Sequence, residues 1–167
     1  MKYADTCRTL AKFGKDLLHY TSLGEGLPKI ASYIKQTIRA DRSTIYIYDS
    51  QKEILWTVLA DKIDRLVIPS NDGIAGQTIS RGEPIIVNTP YEDHDFDASV
   101  DYLTGYTTQN IATVPIFDSD KRVIGVLQLL NKYMGDFNED DLKFMVFFAH
   151  YISGYLALSI LLDGNYE

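Results

Sequence analysis

The short polar links between apolar runs restrict this chain's fold more than any other feature. Residues 43–49 (STIYIYD) and 54–60 (ILWTVLA) are alternating and rich in β-branched and aromatic side chains, the pattern of strands. Only Ser50 to Glu53 separates them. A parallel connection needs a crossover of roughly a dozen residues or more, so this pair has to be an antiparallel hairpin. The same geometry recurs near the end. NIATVPIF (110–117) and RVIGVLQLLNK (122–132) are joined by a turn from Asp118 to Lys121. Hairpins at both ends of the strand series predict a largely antiparallel sheet.

Helical patterns flank that series. Cys7, Leu10, Gly14, Leu17 and Leu18 fall near one face of a first helix, and Leu27, Ile30, Ala31, Ile34 and Ile38 form the stripe of a second. Between the hairpins lie a short strand at 66–69, a short helix at 73–81 and a strand at 84–88. A final helix opens near Phe137 or Asn138, with acids in its first turn as the helix dipole prefers. The expected fold is α+β: a central antiparallel sheet with N- and C-terminal helices on one face. The chain reads as one domain, 1–167, with helices over 1–40, the sheet over 43–132 and the last helix over 137–162.

Residues 89–109 are long, polar and acidic, carrying Glu92, Asp93, Asp95 and Asp97. A connection of that length inside a compact domain is usually functional. With the 73–81 helix, it is expected to cover the second sheet face as a lid over a small-molecule pocket.

Residues 144–162 carry no formal charge and are long enough to span a bilayer. His150, Ser153 and Ser159 interrupt them, and the acidic flanks lack a basic bias. A buried helix is expected, packed on its own sheet and, through the strip Ala149, Ser153, Gly154 and Ala157, on a partner subunit. The net charge of −7 weighs against nucleic acid, which wants a basic footprint. Cys7 is the single cysteine, so neither an internal disulfide nor a multi-cysteine zinc site is available. The first residues lack a signal-peptide core. A cytoplasmic protein without membrane contact fits these features.

From Gly73 to Lys132 the chain resembles the GAF domain, and more narrowly the GAF domains of cyclic-nucleotide phosphodiesterases and bacterial adenylyl cyclases. The run GIAGQTISRGEPIIVNTPYEDHDFDASV carries the likeness into the lid, and it extends over essentially the whole chain. The nucleotide-binding members have an Asn-Lys pair, a Phe and an Asp-Glu pair. Asn131, Lys132, Phe137 and Asp141 match, while Leu142 replaces the Glu. The likeness implies an ion pair from Lys132 to Asp141, with Asp140 as a neighbouring acid. It also implies a ligand shell of Ser43, the backbone of Ile74 and Ala75, then Asp101, Thr104 and Thr108, with Gln128 on the last strand supplying a further uncharged hydrogen bond.

Four positions depart. The Phe-Asp pair that stacks on and reads the purine falls on Leu59 and Ala60, the lid Tyr on Asp97, and the Glu of the last strand on Gln128. Ala60 offers only its backbone to a base edge. Asp97 close to Asp101 would repel an anionic nucleotide.

Other chemistries find less support. Asp93, Asp95, Asp97, Ser99 and Asp101 alternate as in a calcium loop, but Ala98 and Thr104 stand where Gly and Glu belong. His94 and His150 are isolated, and bilin attachment or sulfoxide reduction would need a pocket cysteine. No metal, no cofactor and no catalytic residue is expected. The resemblance implies a regulatory domain that senses a small molecule, a cyclic nucleotide or related metabolite, and signals through dimer helices to an output domain or partner protein. The alternative is a dimerisation module of the same fold with no physiological ligand.

Overall fold

The computed structural model describes residues 11–12, 23–61 and 65–163. The first expected helix, with Cys7, lies outside them except for helical Ala11 and Lys12. Helix α1 spans Leu23–Ile38, followed by strands β1 (Ala40–Asp49), β2 (Ile54–Ala60) and β3 (Val67–Pro69). Helix α2 (Gly73–Arg81) and strand β4 (Ile85–Val87) come next. A 3₁₀ turn (Pro90–Glu92) and helix α3 (Ser99–Thr104) break up the long connection. Strands β5 (Ile111–Phe117) and β6 (Val123–Lys132) lead to helix α4 (Glu139–Asp163).

The six strands form one sheet in the order β3-β2-β1-β6-β5-β4, and every neighbouring pair is antiparallel. Strand β1 starts earlier than its alternation alone indicates. Arg39, at φ 63°, turns the end of α1 directly into the sheet, and Ala40 pairs with Lys132. Near the start of β6, Gly125 runs so close to β1 that a Cβ there would collide with the Tyr46 carbonyl.

Alternation along the strands divides the core in two. Ile45, Val114, Ile116, Leu127 and Leu129 point to the face covered by α1 and α4, where they meet Ile30, Ile34, Met145, Phe148 and Ile152. Tyr46 and Val126 point to the other face, toward Ala75 of α2. Burying this many aliphatic side chains at about 1.5–3 kcal/mol each is what holds two helices on one side.

Helix α4 begins on a reciprocal cap. Asn138 Oδ1 accepts from the Asp140 and Asp141 amides at 3.0 and 3.1 Å, and Asp141 Oδ2 accepts from the Asn138 amide at 3.0 Å. No helix among the described residues is long and apolar enough to cross a membrane. The small-residue strip of α4 does not form one surface. Ala149 is buried and Ser153 donates to the Phe117 carbonyl at 2.5 Å, so these two serve the protein's own sheet. Gly154 and Ala157 are exposed, as are Phe147 and Tyr151 at 37% each.

Candidate functional site

A bulge shapes the second face of the sheet. Ile45 pairs with Leu59 but Tyr46 pairs with Thr57, which leaves Val58 as the extra residue of β2. Val58 and Leu59 therefore both pack toward the helices, while Thr57 and Ala60 line a cavity on the opposite face. The cavity measures about 90 Å³. Thr44, Tyr46 and Gln128 form its floor, Ile74 and Ala75 of α2 a wall, and Phe96, Asp97, Asp101 and Thr108 its cover.

Of the residues expected in a ligand shell, Ile74, Ala75, Asp101, Thr108 and Gln128 meet at this cavity. Ser43 does not, because strand parity turns it to the helix face. Its amide and hydroxyl donate to Asp61 at 2.9 and 3.1 Å, and Lys35 donates to the same carboxylate at 2.7 Å. Burial alone would raise the pKa of Asp61, but Lys35 and Ser43 together hold it below the usual carboxylate range. Thr44, one residue on, takes the place on the floor. Thr104 also lies outside: it is exposed, and its hydroxyl donates to the Val100 carbonyl at 2.7 Å. Thr104→Ala is expected to shift stability by less than about 0.5 kcal/mol in urea melts, as exposed positions do.

Asp101 is the polar centre of the cover. It is 8% exposed and accepts from the Thr108 amide at 2.7 Å, the Thr108 hydroxyl at 2.8 Å and the Tyr91 hydroxyl at 2.7 Å. That hydrogen bond, helped by desolvation and the carboxylate charge, pushes the Tyr91 phenol up. The exit of the segment is clamped separately. Asn131, at φ 55°, accepts from the Gln109 amide at 2.6 Å and donates to the Thr107 carbonyl at 2.8 Å. Tyr106 donates to Asp41 at 2.9 Å, with the Arg42 guanidinium 3.6 Å from its ring centre.

The alternating acids have a local explanation. Asp93 accepts from the Asp95 amide at 2.9 Å, and Asp97 accepts from the Ser99 amide at 2.9 Å and hydroxyl at 2.8 Å. These are Asx turns, in which a short acid folds the chain over itself. Phe96, not residue 97, supplies an aromatic ring to the cavity, edge-on to Tyr91 at 5.2 Å.

Lys132 meets Asp141 at 2.6 Å with both side chains largely buried, joining β6 to the first turn of α4. Asp140 pairs instead with exposed Lys143 at 3.3 Å. Lys132→Met leaves Asp141 only its capping bond and is expected to cost about 2 kcal/mol in urea melts, less than a fully buried pair because water reaches the site.

Burial pushes the Tyr46 phenol up to about 12, partly offset by a hydrogen bond from Gln128. The folded state thus holds this proton more tightly than the unfolded chain, whose tyrosines titrate near ~10. Stability is fully present below that pH and is lost as pH rises through the folded value of about 12. Tyr106, raised by burial and by Asp41, adds in the same direction. Urea melts are expected to show an alkaline loss approaching ~1.4 kcal/mol per pH unit for each such group. Tyr46→Phe should reduce that slope without abolishing it.

A sequence model described as GAF domain matches residues 22–156. The chain is 29% identical over 162 residues to the dual 3',5'-cyclic-AMP and -GMP phosphodiesterase 11 of Drosophila melanogaster, covering 86% of this chain and 11% of that protein. It is 31% identical over 137 residues to a probable 3',5'-cyclic phosphodiesterase, pde-5, of Caenorhabditis elegans, covering 74% of this chain and 19% of that one. The chain therefore spans a small part of either relative. Its fold matches the crystal structure of the GAF domain from an Acinetobacter phosphoenolpyruvate-protein phosphotransferase with a TM-score of 0.83 at 18% identity, covering 99% of this chain and 100% of that one.

Proposed function

The chain belongs to the GAF domain family, and on that premise we propose that it is a regulatory domain, not a catalytic one, that senses a small molecule in the cavity between sheet and residues 89–109. The observation that carries this reading is Asp101. One largely buried carboxylate holds both Thr108, three residues before β5, and Tyr91, at the far end of the covering segment. Such a segment acts as a lid with Asp101 as the latch inside it and a separate clamp at its exit. A ligand that prefers one lid position shifts the population toward it, by no more than its difference in affinity for the two.

The route outward runs through adjacent residues. Asn131 grips the lid exit and Lys132 grips α4, so a displaced lid pulls on the helix. Helix α4, with Phe147 and Tyr151 exposed, is the surface for a homodimer, and an output domain or partner protein reads the shift. The setting is the cytosol. Cyclic nucleotides belong in the ligand panel because the family likeness implies them.

A thermal-melt panel of cyclic AMP, cyclic GMP and common metabolites tests the proposal. A ligand at ~100-fold its Kd adds about 2.7 kcal/mol of stability, which raises Tm by roughly 5–11 °C for a domain this size. The second reading, a dimerisation module with no ligand, draws on the volume. About 90 Å³ is small beside the ~300–1,000 Å³ of pockets for drug-sized ligands. A dimer in sedimentation with no melting shift across the panel is the result that favours it.

A further inference from the structure

Helix α1 and its end carry charge opposite to that of the whole chain. After Glu25 the sequence runs to Arg39 with Lys29, Lys35 and Arg39 and no further acid, in a chain of net charge −7. The carboxylates beside the end of this stripe are already matched. Asp61 accepts from Lys35 at 2.7 Å, and Asp41 lies 4.0 Å from the Arg42 guanidinium and accepts from the Tyr106 and Tyr133 hydroxyls. Arg39 is exposed, and no carboxylate pairs with it among the described residues. Its guanidinium rests on the Met134 sulfur at 3.7 Å, a weak acceptor for a full charge.

A groove lies at that point. The Tyr133 amide donates to the Arg39 carbonyl at 2.8 Å, which ties the turn after β6 to the end of α1. Between them Lys35, Arg39, Tyr133 and Met134 line a hollow of about 410 Å³. Tyr133 and Met134 are adjacent in sequence, and they are 67% and 70% exposed. Two large apolar side chains side by side in water, rimmed by polar groups, mark a surface suited to being covered. A methionine there adapts its shape to what covers it.

We propose that this groove docks an acidic peptide segment of a partner protein. One aliphatic side chain of the segment sits against Tyr133 and Met134, and one carboxylate pairs with Arg39. The guanidinium offers forked donors that fit a carboxylate in two places. An anionic bilayer is the poorer match, because a chain of net charge −7 is repelled by it. The groove shares no lining residue with the cavity over the sheet, so its docking role stands or falls apart from the sensing reading.

Fluorescence anisotropy with a short labelled peptide, two aspartates flanking a leucine in a glycine-serine background, tests it. The peptide is expected to bind, and ~0.5 M salt is expected to weaken it by screening. Lysines in place of the aspartates should abolish binding, and serine in place of the leucine should raise Kd about fivefold or more. Arg39 has a positive φ of 63°, which asparagine tolerates, so Arg39→Asn keeps the fold and should raise Kd about threefold or more, as loss of one exposed ion pair does. Met134→Ser should weaken the leucine peptide and leave the serine peptide unchanged. No binding of the aspartate-leucine peptide up to ~1 mM overturns the proposal. So does unchanged affinity in both Arg39→Asn and Met134→Ser. Binding to phosphatidylserine vesicles that Arg39→Asn abolishes overturns it in favour of a membrane. A shift from dimer to monomer in sedimentation of Arg39→Asn overturns it in favour of a second copy of this chain.

Discussion

Asp101→Ala is expected to lower stability by about 3 kcal/mol and to release the segment over residues 89–109. Hydrogen bonds to charged groups contribute about 1.5–3 kcal/mol each, and the larger loss comes from donors left without a partner. Thr108 is the donor that matters, since it is 2% exposed and gives both its amide and its hydroxyl to this carboxylate. Tyr91 is 55% exposed and can turn to water instead. The expected fall in Tm is roughly 6–12 °C. Hydrogen exchange separates release of the lid from general weakening. The Thr108 amide should exchange much faster in Asp101→Ala, while amides of β6 change only as far as global stability does. Asp101→Asn keeps the shape but turns one acceptor into a donor, so an intermediate loss of about 2 kcal/mol is expected.

Phe148→Ala is expected to cost about 4 kcal/mol, within the range for removing a buried aromatic side chain. Phe148 is fully buried where α1 meets α4. Its ring lies 5.5 Å from Tyr33, 4.9 Å from Phe144 and 5.4 Å from Phe147. No side chain in that cluster can fill the void without leaving another. The neighbouring change makes the contrast. Phe147→Ala removes a ring that is 37% exposed, and its cost to the monomer should stay below about 1.5 kcal/mol. If α4 is the dimer surface, Phe147→Ala should also move the sedimentation profile toward monomer, which Thr104→Ala should not do.

Strand existence and direction were legible because short links leave the backbone no other option. ILWTVLA and GIAGQTISR fill β2 and α2 to the residue, since a polar link and a left-handed Gly73 mark their edges. The pairing of Lys132 with Asp141 is implied by the family likeness, and in the structure it joins the end of β6 to the start of α4. The site was less legible, for two reasons. Strand parity depends on where a bulge falls, and nothing in the composition of β2 marks Val58 as the extra residue. In β1 the register with β6 is unbroken, so Ser43 shares the helix face with Ile45 while Thr44 shares the cavity face with Tyr46; the family likeness, not the strand alternation, points to Ser43. In the short α3, Val100 and Asp101 face the cavity while Thr104 faces solvent. Phe96 could have been found: it is the one large apolar residue in an acidic stretch, a sign that it packs inward.

The central claim is that residues 89–109 are a lid whose position a small molecule sets. Hydrogen exchange across that segment, with and without a pooled panel of cyclic nucleotides, amines, amino acids and nucleosides, tests it most directly. The account predicts that the pool slows exchange at Thr108 and through α3 at least tenfold, with β6 unchanged, and that Asp101→Ala abolishes the effect. Equal exchange of the segment with and without the pool, in a protein that remains folded, would contradict it.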